Sequence, residues 1–393
     1  MIRPIYLDHN ATTPVDPGVL AAMLPFLRED FGLPSSPHAL GHSAHQAIET
    51  ARAEVAALIG AHTDEIVFTS GGTEANNMAI RGAMNLRVDR HAVVTTAVEH
   101  VATEECCRSL QREGHPVHRL PATATGRVDS EAIIEVLDGN TALATIIHAQ
   151  HETGALQPVA EIAQLARGRG ALVHIDAAQS AGKIPVDVNV IGADLLSISG
   201  HKLYAPKGIG ALFVRRGIDL PPLFAGAGQE RGRRPGTENV ASIVALGAAS
   251  RISAQRLAQE QTRLAVLSVD LLGQLSRMIP GLVLLGEPNA RLPNTLTVLF
   301  PGASGRQVLR ACPHILASTV AREATLGAVR LSLGRTTSAE DVEIAAASLA
   351  SAWRMVREPA LVHLVRPLAG KPRPSPPRAE LKAADAGDIR RKQ

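Results

Sequence analysis

EIVFTSGGTEANNMAIRGAMNL, residues 65–86, reads as a buried strand, a glycine turn and a helix. EIVFTS (65–70) is a short apolar run closed by turn residues, and TEANNMAIRGAMNL (73–86) carries a helical pattern. Similar pieces follow. HAVVTTAV (91–98), ALATIIHA (142–149), ALVHID (171–176), DLLSIS (194–199) and GALFVRR (210–216) read as further buried strands, with VAEIAQLARGRG (159–170) as a helix. Alternation of strand and helix predicts an α/β fold with a mostly parallel sheet. Such sheets hold ligands at the carboxyl ends of their strands.

The pattern changes near residue 250. ASRISAQRLAQEQTRLAVLSVDLLGQLSRM (249–278) predicts a long helix, followed by shorter strands and a last helix near 338–357. The expectation is a large α/β domain over 15–250 and a smaller α+β domain built from 1–14 and 251–366. GKPRPSPPRAELKAADAGDIRRKQ (370–393) combines proline and charge without apolar periodicity, so 367–393 is expected to be a disordered tail. No internal repeats are visible.

Composition narrows the function classes. The chain has 393 residues, 45% of them apolar, enough for a large core. A formal charge of +3 and only 2% aromatic residues give little support for nucleic-acid binding. The three cysteines, Cys106, Cys107 and Cys312, form no disulfide framework and suggest a reducing compartment. No secretory leader and no run of about 18 apolar residues is present, so a cytoplasmic protein without membrane contact is expected.

Several short stretches carry chemistry. In FTSGGTEANN (68–77), Thr73 is placed to cap the helix, Glu74 suits its positive end, and the backbone N–H groups could cradle a phosphate. Taken alone, this is equally an ordinary capped helix after a strand. Asp176 and Gln179 close HIDAAQS (174–180). Ser199, His201 and Lys202 follow the strand in SISGHKLYAPKGIGAL (197–212). A single lysine there is either a solvated loop charge or an imine-forming lysine. Together, a phosphate cradle, a strand-end acid and a strand-end lysine are what pyridoxal phosphate (PLP) requires. His100, in VEHVATEE (98–105), could stack on its ring.

The chain resembles the NifS-like cysteine desulfurases and selenocysteine lyases, class V aminotransferases of the fold-type I PLP enzymes. The resemblance runs from YLDHNATTPVDP (6–17) to about residue 357 through SGGTEANN, EHVA, HIDAAQSAGKIPVD, SGHKLYAPKGIGAL, RGRRPGTEN and AVRLSLGRTT. It implies PLP as cofactor and a homodimer with composite active sites. It also implies Lys202 as the Schiff-base lysine, Asp176 as partner of the pyridine nitrogen and Gln179 as donor to the ring hydroxyl. His100 becomes the stacking residue. Gly72, Thr73, Ser199 and His201 belong to the phosphate cradle, and Thr237 reaches the phosphate of the other subunit. Arg330 is implied to pair with the substrate carboxylate.

Three stretches depart from that family. In HILASTVAREATLGAVRLSLGR (314–335), ILAS passes almost directly to RLSLGR, and the loop that carries the family's nucleophilic cysteine is expected to be deleted. The three remaining cysteines are expected to be core residues. In AQHETGALQP (149–158), His151 stands where the family has asparagine. It either makes the same hydrogen bond or adds an acid–base group. Leu33, where asparagine is usual, suggests a reshaped entrance. His38, His42 and His45 have helical spacing, but no acid or cysteine accompanies them, so no metal is expected.

Without a cysteine nucleophile, the persulfide route has no acceptor. The expected function is therefore a PLP-dependent C–S lyase. It would deprotonate Cα of an S-conjugated cysteine and β-eliminate a thiol, leaving pyruvate and ammonia. Family relatives that handle sulfur conjugates in antibiotic pathways imply bacterial specialised metabolism. The alternatives are decarboxylation-coupled oxidative deamination to an aldehyde, ordinary desulfurase or selenocysteine lyase activity, and a non-catalytic scaffold.

Overall fold

A computed structural model describes residues 3–320 and 328–357. The strands are β1 (Ile5–Tyr6), β2 (Ile66–Thr69), β3 (Ala92–Thr96), β4 (Val117–Leu120), β5 (Thr141–Ile147), β6 (Leu172–Asp176), β7 (Leu195–Ser199), β8 (Gly210–Val214), β9 (Val283–Leu285), β10 (Thr295–Leu299), β11 (Ile315–Leu316), β12 (Ser318–Thr319) and β13 (Ala328–Ser332). The helices are α1 (Pro17–Met23), α2 (Pro25–Arg28), α3 (Ala39–Leu58), α4 (Gly72–Leu86), α5 (Val101–Arg112), α6 (Val159–Gly168), α7 (Val188–Ile191), α8 (Val240–Met278), α9 (Gly305–Ala311) and α10 (Ala339–Arg357).

Seven strands form one mixed sheet in the order β2-β8-β7-β6-β5-β3-β4. All its pairings are parallel except those of β8, which runs antiparallel to both β2 and β7. The pleat divides the apolar residues between two faces. Ile66, Phe68, Leu196, Ile198 and Phe213 enter the cluster that includes residues of α3, α6 and the first half of α8. Val67, Leu195, Leu212 and Val214 enter the opposite cluster with residues of α4 and α5. Both faces are covered, which is why these strands read as continuous apolar runs rather than alternating ones.

A four-stranded antiparallel sheet, β12-β13-β10-β9, and the parallel pair β1-β11 form the second structured region. A third apolar cluster fills it. Leu264, Leu267, Leu271 and Leu275 of α8 pack there with Val298 of β10, Val329 of β13 and Trp353 of α10. Helix α8 thus spans two cores, its length being roughly 58 Å at 1.5 Å per residue. Small residues let it cross α3 closely. A Cβ on Gly247 would stand 2.5 Å from Cα of Ala51.

The six strands expected from the sequence all occur, with ends within two residues of the reading. Three differences have physical causes. The orientation of β8 leaves no trace in its own residues, because a strand buried on both faces has the same composition either way. Strand β4 (VHRL) is half-buried at the sheet edge and lacks an apolar run. Helix α8 begins at Val240, before the expected 249, where the Asn239 side chain accepts from Ser242 N at 3.2 Å. The expected tail, 367–393, lies outside the described residues.

Candidate active site

The carboxyl ends of β2, β5, β6 and β7 open onto a cavity of 620 Å³. Gly72, Thr73, His100, His151, Asp176, Gln179, Ser199, His201, Lys202 and Arg330 all line it. Thr237 does not. It lines a neighbouring cavity of 200 Å³ that shares Ser70, Gly208 and Ile209 with the first.

Strand β2 enters α4 through Gly71, whose φ of 151° is open to glycine. The N-cap is Gly71, with no side-chain acceptor, so the expected Thr73 cap is corrected: Thr73 sits inside the first turn. The reason is local. The glycine turn brings the helix in two residues early, and the uncapped N–H groups of a long helix remain available to an anion. Ser199 closes this cradle, its Oγ 3.6 Å from where a Cβ on Gly72 would sit. Glu74 holds the turn from outside by accepting from Ser70 N at 2.7 Å and pairing with Arg234 at 2.9 Å.

Asp176 ends β6 and is buried. Its Oδ1 accepts from Ala178 N at 2.9 Å and its Oδ2 from the Asn76 amide at 2.8 Å. Lys202 leaves the end of β7 through a short 3-10 turn. Burial lowers its pKa, the Asp176 charge opposes that shift, and Arg330 adds to it. A lowered lysine supplies more of the neutral amine that imine chemistry uses.

His100 caps α5, its Nδ1 accepting from Ala102 N at 3.1 Å, which leaves the proton of the neutral ring on Nε2. The His151 ring meets it edge-on with centroids 5.3 Å apart. Burial, with His100 and the cations Lys202 and Arg330 nearby, pushes His151 down to about 3. It is therefore a neutral imidazole at physiological pH. His201 is held at about 4 by burial and by Lys202 and Lys207, a positive field suited to an anion.

Arg330, on β13, donates to Asp8 Oδ1 at 2.7 Å and to the His151 carbonyl at 3.0 Å. The Gln179 amide donates to the Asn10 carbonyl at 2.9 Å and accepts from Lys183 at 2.8 Å. Lys183 also donates to Asn10 Oδ1 at 3.0 Å. Sequence reading passed over Asn10 and Asn76, which line the cavity, and Lys183, which lies outside it and holds Gln179 and Asn10. Lys183 stands four residues after Gln179, a spacing that could have marked the pair.

The fit to PLP can be tested on these groups. His151 Nδ1, Arg330 Nε and Asn76 Oδ1 are buried polar atoms without a hydrogen-bond partner. Buried Asp176 makes no ion pair among the described residues. An acid, a lysine and an uncapped helix end around one cavity suit an occupant that is polar and carries an anionic group. The uncapped helix end would take the phosphate, Asp176 the pyridinium, and Lys202 the aldehyde carbon. The residues present fit the cofactor.

Cys106 and Cys107 of α5 are buried in the cluster under the sheet, and Cys312 is buried beside α9. Burial pushes their thiols up to about 11, 12 and 11. None lines the cavity. Leu33 is exposed at the wall of another surface cavity, beside Thr237. His38 caps α3, its Nδ1 accepting from Gly41 N at 3.3 Å. Among the described residues no group of three His, Cys, Asp or Glu side chains could hold a metal ion, and no helix is long and apolar enough to cross a membrane.

A mostly parallel α/β sheet with an anion cradle, a buried acid and a buried lysine at its strand ends defines a PLP-type enzyme. Its family is shown by comparison. The Aminotransferase class-V profile matches residues 5–344, and the chain belongs to that family as a cysteine desulfurase-like enzyme. The cysteine desulfurase of a Nostoc species is 46% identical over 309 residues, 78% of this chain and 76% of that protein. Cysteine desulfurase NifS of Azotobacter vinelandii is 40% identical over 361 residues, 86% and 90% of the two chains. A solved NifS-like protein superposes with a TM-score of 0.86 at 33% identity, covering 90% of this chain and 100% of its own. The family implies PLP.

Proposed function

We propose that this enzyme is a PLP-dependent C–S lyase for S-substituted L-cysteine. One observation carries the reading: all three thiols are buried away from the lysine cavity. The lack of any cysteine between Pro313 and Arg330 supports it, as expected if the family's cysteine loop is deleted. A desulfurase transfers sulfur to a thiolate, and no thiolate of this chain lines the site.

When bound, PLP supplies an electron-withdrawing ring conjugated to the substrate amine. The protein does the rest. Arg330 orients the substrate carboxylate through its fork, with Nε still lacking a partner. Lys202, lowered by burial, accepts the Cα proton. The Cβ–S bond then breaks, and sulfur leaves with the electron pair and takes up a proton. Substrate and one water yield thiol, pyruvate and ammonia. Neutral His100 and His151 wall the site without competing for that proton. We further propose a homodimer in which Thr237 completes the partner's phosphate cradle. The cavity holding Thr237 adjoins the main one.

The test is product analysis. PLP-loaded protein receives free L-cysteine or S-methyl-L-cysteine. Methanethiol with pyruvate from the thioether supports the lyase. Carbon dioxide with an S-linked aldehyde points to the decarboxylating route, and alanine from free cysteine overturns both.

A further inference from the structure

Asn76 stands in the second turn of α4, four residues after Gly72. Residues at that spacing share a helix face and lie roughly 6 Å apart along its axis. One face of α4 thus carries the phosphate cradle at its end and the Asn76 amide beyond it, and both line the lysine cavity.

The helix around Asn76 is apolar. Ala75, Met78 and Ala79 enter the cluster shared by α4, α5 and the sheet. Asn76 is 1% exposed, where a polar side chain costs free energy unless its groups are paired. Its Nδ2 donates to Asp176 Oδ2 at 2.8 Å and to Oγ1 of Thr103, on α5, at 3.1 Å. Its Oδ1 has no partner. The amide cannot be turned over, because a carboxylate only accepts. Flipping would set Oδ1 against a negative oxygen. A side chain kept only to fill this interface would be apolar, or would satisfy both ends of its amide. Asn76 instead gives both its donors away, one to the acid and one to an anchor.

The other oxygen of Asp176 accepts from Ala178 N at 2.9 Å. One donor on each oxygen fixes the plane of the carboxylate. Hydrogen bonds to a carboxylate also favour its charged form.

We infer that Asn76 is a positioning residue for the cofactor. By donating to Asp176 Oδ2 it holds that carboxylate as an oriented anion, so that the proton shared with PLP stays on the ring nitrogen. Thr103 keeps the amide in place. The inference rests on PLP binding with its ring nitrogen at Asp176. A protonated ring withdraws electrons more strongly than a neutral one. Asn76 therefore assists removal of the Cα proton through Asp176, without touching the substrate.

The test uses holoenzyme loaded with PLP whose ring nitrogen is isotope-labelled. Its NMR resonance separates protonated from neutral pyridine. Asn76→Leu and, as a second variant, the smaller Asn76→Val remove the donor. In each, the resonance should move from the protonated towards the neutral position. The PLP dissociation constant, from titration of the apoenzyme, should rise about tenfold, as for loss of one hydrogen bond to a charged group. An asparagine that served structure alone would lower the thermal midpoint and leave the resonance in place, and that result overturns the inference. Asp176→Asn is the control for the cofactor's placement and should leave the ring nitrogen neutral. A resonance insensitive to Asp176→Asn would fault that placement, and the inference with it. A resonance that responds to Asp176→Asn but to neither Asn76 variant overturns the inference alone.

Discussion

The guanidinium of Arg330 and the carboxylate of Asp8 lie 2.7 Å apart, joining residues 322 positions distant in sequence. Asp8 is held from its other side by Ser318 Oγ at 2.8 Å. The His151 carbonyl takes Nη1, and Nε remains unpaired. The arginine is thus held in one orientation before any carboxylate arrives.

That arrangement makes Arg330→Lys a sharp test. A lysine keeps the charge but loses the planar fork. A charge-assisted hydrogen bond is worth about 1.5–3 kcal/mol, so KM for the amino-acid substrate should rise about 10- to 100-fold. Steady-state kinetics with thermal unfolding checks it. An unchanged KM with a lowered midpoint would mean that the residue serves structure alone.

Glu99→Gln should stabilise the protein, and more so at higher pH. The native acid keeps its proton to about 8, whereas the unfolded chain loses it near the ordinary value of 4.5. Between these values the unfolded state binds fewer protons, so native stability falls as pH rises. Below 4.5 the term vanishes, and above 8 it is complete. Unfolding midpoints at pH 5 and pH 8 should show the larger gain at pH 8.

Lys183→Met should cost about 1–3 kcal/mol, because Gln179 Oε1 and Asn10 Oδ1 lose a buried donor. It should also free the Gln179 amide to rotate. Denaturant unfolding measures the first effect. A shifted absorption maximum of bound PLP reports the second. Stability lost with an unchanged spectrum would limit Lys183 to a structural role.

Cys312→Ala should leave thiol release intact and lower stability by about 1 kcal/mol through a small cavity, since the side chain is buried and bonded to the Val308 carbonyl at 3.2 Å. Lost turnover with a preserved fold would restore that cysteine as a nucleophile.

Much of the sheet was legible because strands covered on both faces must be apolar throughout, and turn residues bound them. Ten site residues singled out from the sequence line one cavity: nine gather where strand carboxyl ends of the large sheet converge, and Arg330 comes from β13 of the smaller sheet. The supporting groups were harder to see. Asn10 bonds to Gln179 and Lys183, 169 and 173 positions away, and no local pattern encodes that pairing, whereas the bond between Lys183 and Gln179 is local.

The residues by themselves determined the α/β alternation, the glycine turn before α4, the positions of Lys202 and Asp176, and the absence of any cysteine between Pro313 and Arg330. Local sterics, apolar periodicity and chemical identity suffice for those. Only the tertiary structure decided that β8 runs antiparallel, that the three thiols are buried, that His151 is neutral, and that Asn76 donates to Asp176. Burial, charge proximity and side-chain pairing depend on distant segments packing together.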